Sequence, residues 1–459
     1  MDEQFVFFII LLFMLASQNK PPIDPLEQKA LYNILTSINQ TIPSTTTDFP
    51  DDFCLSAPHA VVCESHREPN QTKSHIAELN FGFFADQTPF LPCSPNATLD
   101  PLLFTSFPYL RKLVFHKCFN NTLNPIHLLS LPSFPSSLQE LVFIDNPSIF
   151  SPLQPFINNL TSLKKLVLVG NGFYGDLPPQ IDRFHNLEEL NLSRNNLSGE
   201  VPASIGMLKK LSILDLSHNN FEGCVPEQVG NLVNLLKLNL SQNGFNCKIP
   251  DSFIHLKKLE FLDLSFNRFG NFGVPLFLGE FHKMKEVHLS GNSLSGQIPE
   301  IWEKLGSVEK IGFSKMDLVG EIPASMGVHL KNLTNLELDN NNLEGPVPEE
   351  FGFLLKSANE INLENNNLSG RISFTCGGGV GQKMLKLAGN MGLYLEINAS
   401  CCCENGLDQP NHCKTATVNG ASLRFFDPIM LVLIFIIVFV FSYLFLFLKR
   451  RHLYLFRRL

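Results

Sequence analysis

Along the middle of the chain the apolar positions recur in one phrase, L-x-x-L-x-L-x-x-N. It reads Leu187, Leu190, Leu192, Asn195 and then Leu211, Leu214, Leu216, Asn219. The asparagine returns at Asn243, Asn267, Asn292, Asn341, Asn366 and Asn390, and upstream at Asn171 and Asn146, on a spacing of 24 or 25 residues. Met316 takes one anchor slot and Cys118 an earlier one. A degenerate first unit lies around Ile76, Leu79 and Phe81, giving about twelve units in all. In x-L-x-L-x the leucines alternate with polar residues, the period of a half-buried strand. The leucines then point inward and the residues between them outward. A single unit cannot bury its own apolar face, so the units must stack, strand beside strand, into a parallel concave sheet. An asparagine at each bend can hydrogen-bond backbone groups that burial would otherwise leave unpaired at a cost.

The second half of the unit is more specific. After the asparagine comes L-x-G-x-I/V-P, as Leu197, Gly199, Val201, Pro202; Leu294, Gly296, Ile298, Pro299; and Leu343, Gly345, Val347, Pro348. Glycine permits a tight turn there, and proline fixes an extended convex segment. Over residues 138–395 this resembles the plant-specific leucine-rich repeat. The fold class expected is an α/β solenoid: a plant-type leucine-rich-repeat superhelix with a parallel concave sheet, plus one transmembrane helix.

The two ends bear on the compartment. Residues 5–15 form an almost unbroken apolar run followed by Ala16 and Ser17, as in a signal peptide, although Asp2 and Glu3 stand where basic residues are usual. Cleavage is expected near residues 16–18, with a retained anchor as the alternative. Residues 429–448 carry no charge and are long enough to cross a bilayer as a helix. Lys449, Arg450, Arg451, Arg457 and Arg458 follow without an acid, so the N-terminal bulk is expected outside, in a single-pass type I plasma-membrane topology. The expected organisation is a signal peptide (1–17), an N-terminal cap (24–84), the solenoid (85–395), a C-terminal cap and juxtamembrane linker (396–427), the transmembrane helix (429–448) and a cytoplasmic tail (449–459). Within the cap, residues 25–37 read as a helix.

Composition changes this picture little. The chain has 459 residues, a formal net charge of -8, 41 phenylalanines and one tryptophan. The mildly acidic balance argues against a nucleic-acid partner. Eleven cysteines and eleven N-x-S/T sequons suit an oxidising, glycosylating compartment. The sequons begin at Asn39, Asn70, Asn96, Asn120, Asn159, Asn191, Asn196, Asn239, Asn332, Asn367 and Asn398. Cys224 and Cys247 follow successive anchors, and stacking brings them within disulfide reach, with two free surface thiols as the alternative. Cys93 and Cys118 are candidates to staple the first irregular coils. Cys401, Cys402, Cys403 and Cys413 with His412 fit a disulfide cap better than a metal cluster, and neither their pairing nor that of Cys376 follows from the sequence.

No kinase motif, no Gly-rich phosphate loop in strand-loop-helix context and no cofactor signature is present, so the chain is expected to bind rather than catalyse, with no cofactor and no metal. Outward strand positions carry the specificity. Along the array they include Val167 and Val169, Asn191 and Ser193, Asp215 and Ser217, Asn239 and Ser241, and Asp263 and Ser265. The candidate ligand- and partner-binding residues are Glu286, His288, Lys310, Glu337, Asp339, Asn362 and Glu364. The acidic end of this row, with Glu360, would draw a cationic partner, while a solvated face is the plainer reading. Glycans at Asn191 and Asn239 would block part of the concave face.

Repeats, caps, span and short basic tail together resemble the plant receptor-like proteins. A closer likeness, carried by LVFHKCFN around Cys118, SLQELVFIDNP ending at Pro147, SKMDLVGEIP around Met316 and NNLSGRISF ending at Phe374, is to the Piriformospora indica-insensitive protein 2 group. The resemblance implies a local cap disulfide between Cys54 and Cys63, although the tryptophan usual in such caps is missing. It also implies an extracellular peptide, glycan or protein ligand, a receptor-kinase co-receptor and a role in responses to root-colonising fungi. The rival function is a secreted inhibitor resembling the polygalacturonase inhibitors, which residues 429–448 argue against. A structural wall protein is a third reading.

Overall fold

The structure is a computed structural model, and it describes residues 21–38, 52–56, 61–69, 71–82, 93–120, 125–128, 134–157, 160–355, 357–372 and 384–395. Each repeat makes one coil, and the coils stack so that their short strands form one concave sheet of fourteen strands. The sheet opens with Val61–Arg67, antiparallel to Thr72–Gly82. From Thr72–Gly82 onward every pairing in it is parallel, beginning with Lys112–His116 and ending with Met384–Lys386. Residues at the same place in the repeat lie side by side: Leu214 pairs with Leu190 on one side and Leu238 on the other.

The alternation of the repeat explains the burial. Leu190, Leu192, Leu214, Leu216, Leu238 and Leu240 are buried in one continuous core. Each such side chain taken from water contributes about 1.5–3 kcal/mol, which only stacking makes available. The abundant phenylalanines also find a role here. Phe221, Phe245 and Phe269 hold the same slot in three consecutive coils, and their rings run parallel at 6.4 and 6.2 Å.

The anchor asparagines form a ladder between coils. Asn219 Nδ2 donates to Leu192 O of the preceding coil at 2.9 Å and to Leu216 O of its own at 3.1 Å, while its Oδ1 accepts the Leu197 N–H at 3.0 Å. Asn243, Asn267, Asn292, Asn341, Asn366 and Asn390 reach back to a preceding-coil carbonyl in the same way. The residue just before each anchor adopts a left-handed backbone. Lys117, Asp145, Arg194, His218, Gln242, Phe266, Lys315, Asn340 and Asn365 have φ between 52° and 57°, and only Gly170, Gly291 and Gly389 meet this demand with glycine. The conformation persists before Cys118 and Met316, so the coil geometry imposes it and the anchor side chain does not.

Beyond each anchor the chain adds a short second strand on the flank. These form two five-stranded sheets, one from Phe150–Pro152 to Gly244–Phe245 and one from Gly296–Gln297 to Gly392–Leu395. The prolines then hold the backbone extended, with Pro202 at φ -70°, ψ 141°, and single 3-10 turns such as Ala203–Met207 cross the convex side.

At the N-terminal end the helix Pro25–Ile38 buries Ala30, Leu31, Ile34, Leu35 and Ile38 over the edge of the stack. The cap begins earlier than residue 24, because Ile23 bridges to Ser74 and Ser74 Oγ donates to Pro21 O at 2.7 Å. It also merges with the solenoid earlier than residue 84, since Thr72–Gly82 is already the first strand of the parallel ladder. Disulfides join Cys54 to Cys63, Cys93 to Cys118 and Cys224 to Cys247, with Cα atoms 5.6, 4.9 and 5.0 Å apart. Among the described residues no helix is long and apolar enough to cross a membrane. The expected signal segment, span and basic tail, with Cys376 and the Cys401–Cys413 group, lie outside the described residues.

Candidate functional site

The residues singled out for recognition all lie on the concave sheet. Glu286, His288, Lys310, Glu337 and Asn362 stand on its strands, and Asp339 and Glu364 come two residues later at the same edge. Register places them in rows: Glu286 beside Lys310, and Glu337 beside Gly312 and Asn362.

The rows are tied together more than their spacing suggests. Asp215 and Lys237 meet at 2.9 Å, and the Lys237 ammonium lies over the Phe261 ring at 5.3 Å. Phe261 faces His288 at 6.0 Å, His288 Nε2 lies 3.4 Å from Glu286, and Glu286 takes Lys310 at 3.1 Å. A polar and aromatic chain thus crosses five coils. Partial burial alone would raise the Glu286 carboxyl, but hydrogen bonds from Lys310 and His288 outweigh it and hold it below its ordinary range. The outward positions nearer the N-terminus are less open than expected. Asp215, Ser217, Ser193, Ser241, Ser265 and Val167 are buried by their neighbours, with each serine hydroxyl at Ser193, Ser217, Ser241 and Ser265 donating to the Asn or Asp two residues before it.

The chain of contacts stops at Gly312. A Cβ there would lie 2.8 Å from His288 Nδ1, 3.2 Å from Ser290 Oγ and 3.6 Å from Glu337 Oε2, so Gly312 is buried under these side chains and a larger residue would push them aside. Glu337 is exposed and has no ion-pair partner among the described residues. Asp339 Oδ1 accepts the Ser314 hydroxyl at 2.6 Å, and Asn362 Oδ1 accepts the Glu364 N–H at 3.1 Å. Among the described residues Lys386 places a cation at this end. The Glu360 hydrogen bond, with Glu364 and Asp339 nearby, raises its ammonium above the ordinary lysine range.

Phe261 and Lys237 were not legible as site residues. The only signal was an aromatic residue in an outward slot, where the repeat asks for nothing apolar. Of the glycosylation candidates, Asn96, Asn120, Asn196, Asn332 and Asn367 are exposed, and Asn191 and Asn239 are half-buried on the concave sheet. Asn332 and Asn120 donate their amides to Gly306 O at 2.9 Å and Lys117 O at 3.1 Å. Asn39, Asn70, Asn159 and Asn398 lie outside the described residues.

A stack of coils with a parallel concave sheet, an asparagine ladder and a second flank sheet is the architecture of a leucine-rich-repeat solenoid, and it is similar to those of plant receptors. Residues 154–346 match the family model described as a leucine-rich repeat region. The chain is 33% identical over 152 residues to Piriformospora indica-insensitive protein 2 of Arabidopsis thaliana, covering 33% of this chain and 34% of that protein. It is 30% identical over 182 residues to Receptor like protein 29 of Arabidopsis thaliana, covering 36% and 35%. The chain therefore spans about a third of the length of the curated relatives it matches. Among solved structures it is similar to the Arabidopsis receptor kinase HAESA in complex with the peptide hormone IDA and the co-receptor SERK1. That match has a TM-score of 0.50 and 27% identity, over 66% of this chain and 57% of that one.

Proposed function

We propose that the chain is a cell-surface receptor-like protein that recognises an extracellular peptide or protein segment on its concave sheet and signals through a kinase-bearing co-receptor. The observation that carries this is the exposed Glu337, which has no ion-pair partner among the described residues, at the acidic end of the sheet. An unneutralised carboxylate on an otherwise interlocked face suits a basic side chain or terminal amine of a ligand. The similarity to a receptor kinase solved with a peptide hormone and a co-receptor supports recognition of a peptide together with a second receptor chain. The similarity to Piriformospora indica-insensitive protein 2 points the biological role toward responses to root-colonising fungi. On this reading the solenoid is extracellular, residues 429–448 span the plasma membrane as a type I anchor, and the protein binds without catalysing.

Two measurements test it. On intact cells, external protease should remove nearly all of the mass; a protected solenoid overturns the topology. A panel of peptides differing only in charge should bind the full chain in order of basicity. Equal binding of acidic and basic peptides overturns the assignment of the acidic end as the contact.

A further inference from the structure

On the flank of the solenoid, where the second sheet begins, three rings meet: His127 and Phe150 are exposed and Tyr174 is half-buried. Phe150 and Tyr174 stack with centroids 4.7 Å apart and planes at 30°, and His127 meets Phe150 edge-on at 6.1 Å. Phe150 is 44% exposed. These rings are not core packing: the inward slot of the same strand is filled by Phe173, which is fully buried. Two residues after Tyr174 the chain reaches Asp176, which with Gln154, Pro179, Glu200, Pro202 and Cys224 lines an open groove of about 560 Å³. The two carboxylates lie across successive coils. A Cβ at Gly199 would sit 2.7 Å from Asp176 Oδ1, and one at Gly223 would sit 2.8 Å from Glu200 Oε1. Among the described residues neither carboxylate has a cationic partner, and Asp176 accepts only the Ser198 hydroxyl, at 3.2 Å.

We propose that this flank binds an oligosaccharide whose pyranose rings carry no acidic groups, at a site separate from the concave sheet. The exposed side of the Phe150–Tyr174 stack offers a π-surface of negative quadrupole to the polarised C–H groups of a sugar ring. Gln154, Asp176 and Glu200 offer an amide and two carboxylates to its hydroxyls, and carboxylate acceptors make the stronger hydrogen bonds. Asp176 and Glu200 also decide the class. A uronate chain would bring like charge against two unneutralised carboxylates, which is a repulsive element against that competitor. The same sugar chemistry has two sources. One is a free oligosaccharide. The other is a glycan on the chain's own Asn196, the register partner of Tyr174, whose Oδ1 accepts from Asn220 at 2.8 Å.

The test uses the full chain, made with and without N-glycosylation, and three probes: β-linked hexamers of glucose and of N-acetylglucosamine, and a hexamer of galacturonate. A neutral hexamer should bind and the galacturonate should not. Replacing both rings, Phe150→Ala with Tyr174→Ala, should weaken binding by about tenfold or more, while Tyr174→Phe retains it. Thermal unfolding should be unchanged in both, because the rings are outside the core. Binding that appears only without glycosylation or in Asn196→Gln, and is lost again with the ring pair, supports the same platform with the protein's own glycan as occupant. Failure of both neutral hexamers in every form, equal binding of galacturonate, or ring variants that bind like the parent would overturn the proposal. Glu337→Lys should leave this binding untouched, so failure of the concave-sheet reading and failure here are distinguishable.

Discussion

Asn341 Oδ1 accepts the backbone N–H of Met316 at 2.9 Å, the residue that takes the anchor slot one coil earlier. The same oxygen accepts the Leu318 N–H at 3.1 Å, and Asn341 Nδ2 reaches back to Phe313 O at 2.7 Å. The coil of Met316 has no side-chain amide of its own at the bend, so Asn341 holds that bend from outside. Met316 meets the volume requirement of the slot, being fully buried, but cannot meet its hydrogen bonds.

Asn341→Ala should therefore destabilise the array by about 3 kcal/mol or more, since it strands several buried backbone groups at once. The damage should concentrate on the coil before it. Hydrogen exchange should accelerate at the amides of Met316 and Leu318. Unchanged protection at those two amides would show that the bend is held by packing alone.

The disulfide between Cys224 and Cys247 staples two adjacent coils just beyond the parallel pairing of Gly223 with Phe245. Peptides containing the two cysteines should co-migrate in a non-reduced digest and separate on reduction. Replacing both by serine should cost about 2–4 kcal/mol, because the crosslink closes a loop in the unfolded chain. Free alkylation of both thiols without reduction would remove this staple from the account.

Much of the fold was legible because a period repeated ten or more times is hard to mistake. A strand-period phrase, an anchor and a fixed spacing dictate stacked coils, and stacking dictates register. What the sequence concealed depends on contacts between coils. The left-handed residue before each anchor is Arg194, His218, Gln242 or Phe266 as readily as glycine, so composition does not mark it. Phe261 stands in an outward slot, and only register sets it between Lys237 and His288. Asp215 and Ser217 read as open, outward residues, yet neighbouring rows bury both. Phe150 and Tyr174 stand 24 positions apart in units that depart from the consensus, and only the flank sheet brings them face to face.

Two carboxylates in the cap should respond to pH in opposite senses. Burial alone would raise Asp24, but the Lys73 hydrogen bond at 2.8 Å and the N–H groups of Leu26 and Glu27 outweigh it and lower its pKa. Its contribution to stability is present above about pH 3.9, the unfolded value, and is lost as pH falls through the lowered one. Burial also acts on Glu27 and there it wins, despite the Ile76 N–H and His75 contacts, so its pKa is raised. Its contribution is full below about pH 4.3 and is lost as pH rises through the raised value. Asp24→Asn should flatten the acid side of the stability profile, and Glu27→Gln should flatten the decline above it. Thermal midpoints measured across pH 2–7 would expose the error if either variant steepened its own limb.

The last prediction separates recognition from scaffolding on the concave sheet. Glu337 and Asp339 are two residues apart and carry the same charge, so spacing alone treats them as equivalent. Their surroundings differ. Asp339 holds the Ser314 hydroxyl at 2.6 Å, and the Ser314 N–H in turn donates to Ser290 Oγ at 3.0 Å, so Asp339 ends a polar line that crosses three coils. Glu337 ends nothing: it is exposed and has no ion-pair partner among the described residues. Glu337→Lys should weaken a basic peptide ligand by about tenfold, roughly 1.4 kcal/mol, chiefly through a slower and less salt-dependent association rate. The thermal midpoint should stay where it was. Asp339→Lys should weaken binding as well, but it should also lower the midpoint, because the buried Ser314 hydroxyl loses its acceptor. Binding kinetics and thermal unfolding measured on both variants decide the matter. If Glu337→Lys lowers the midpoint as much as Asp339→Lys does, or leaves association unchanged, Glu337 is part of the scaffold and the contact lies elsewhere on the sheet.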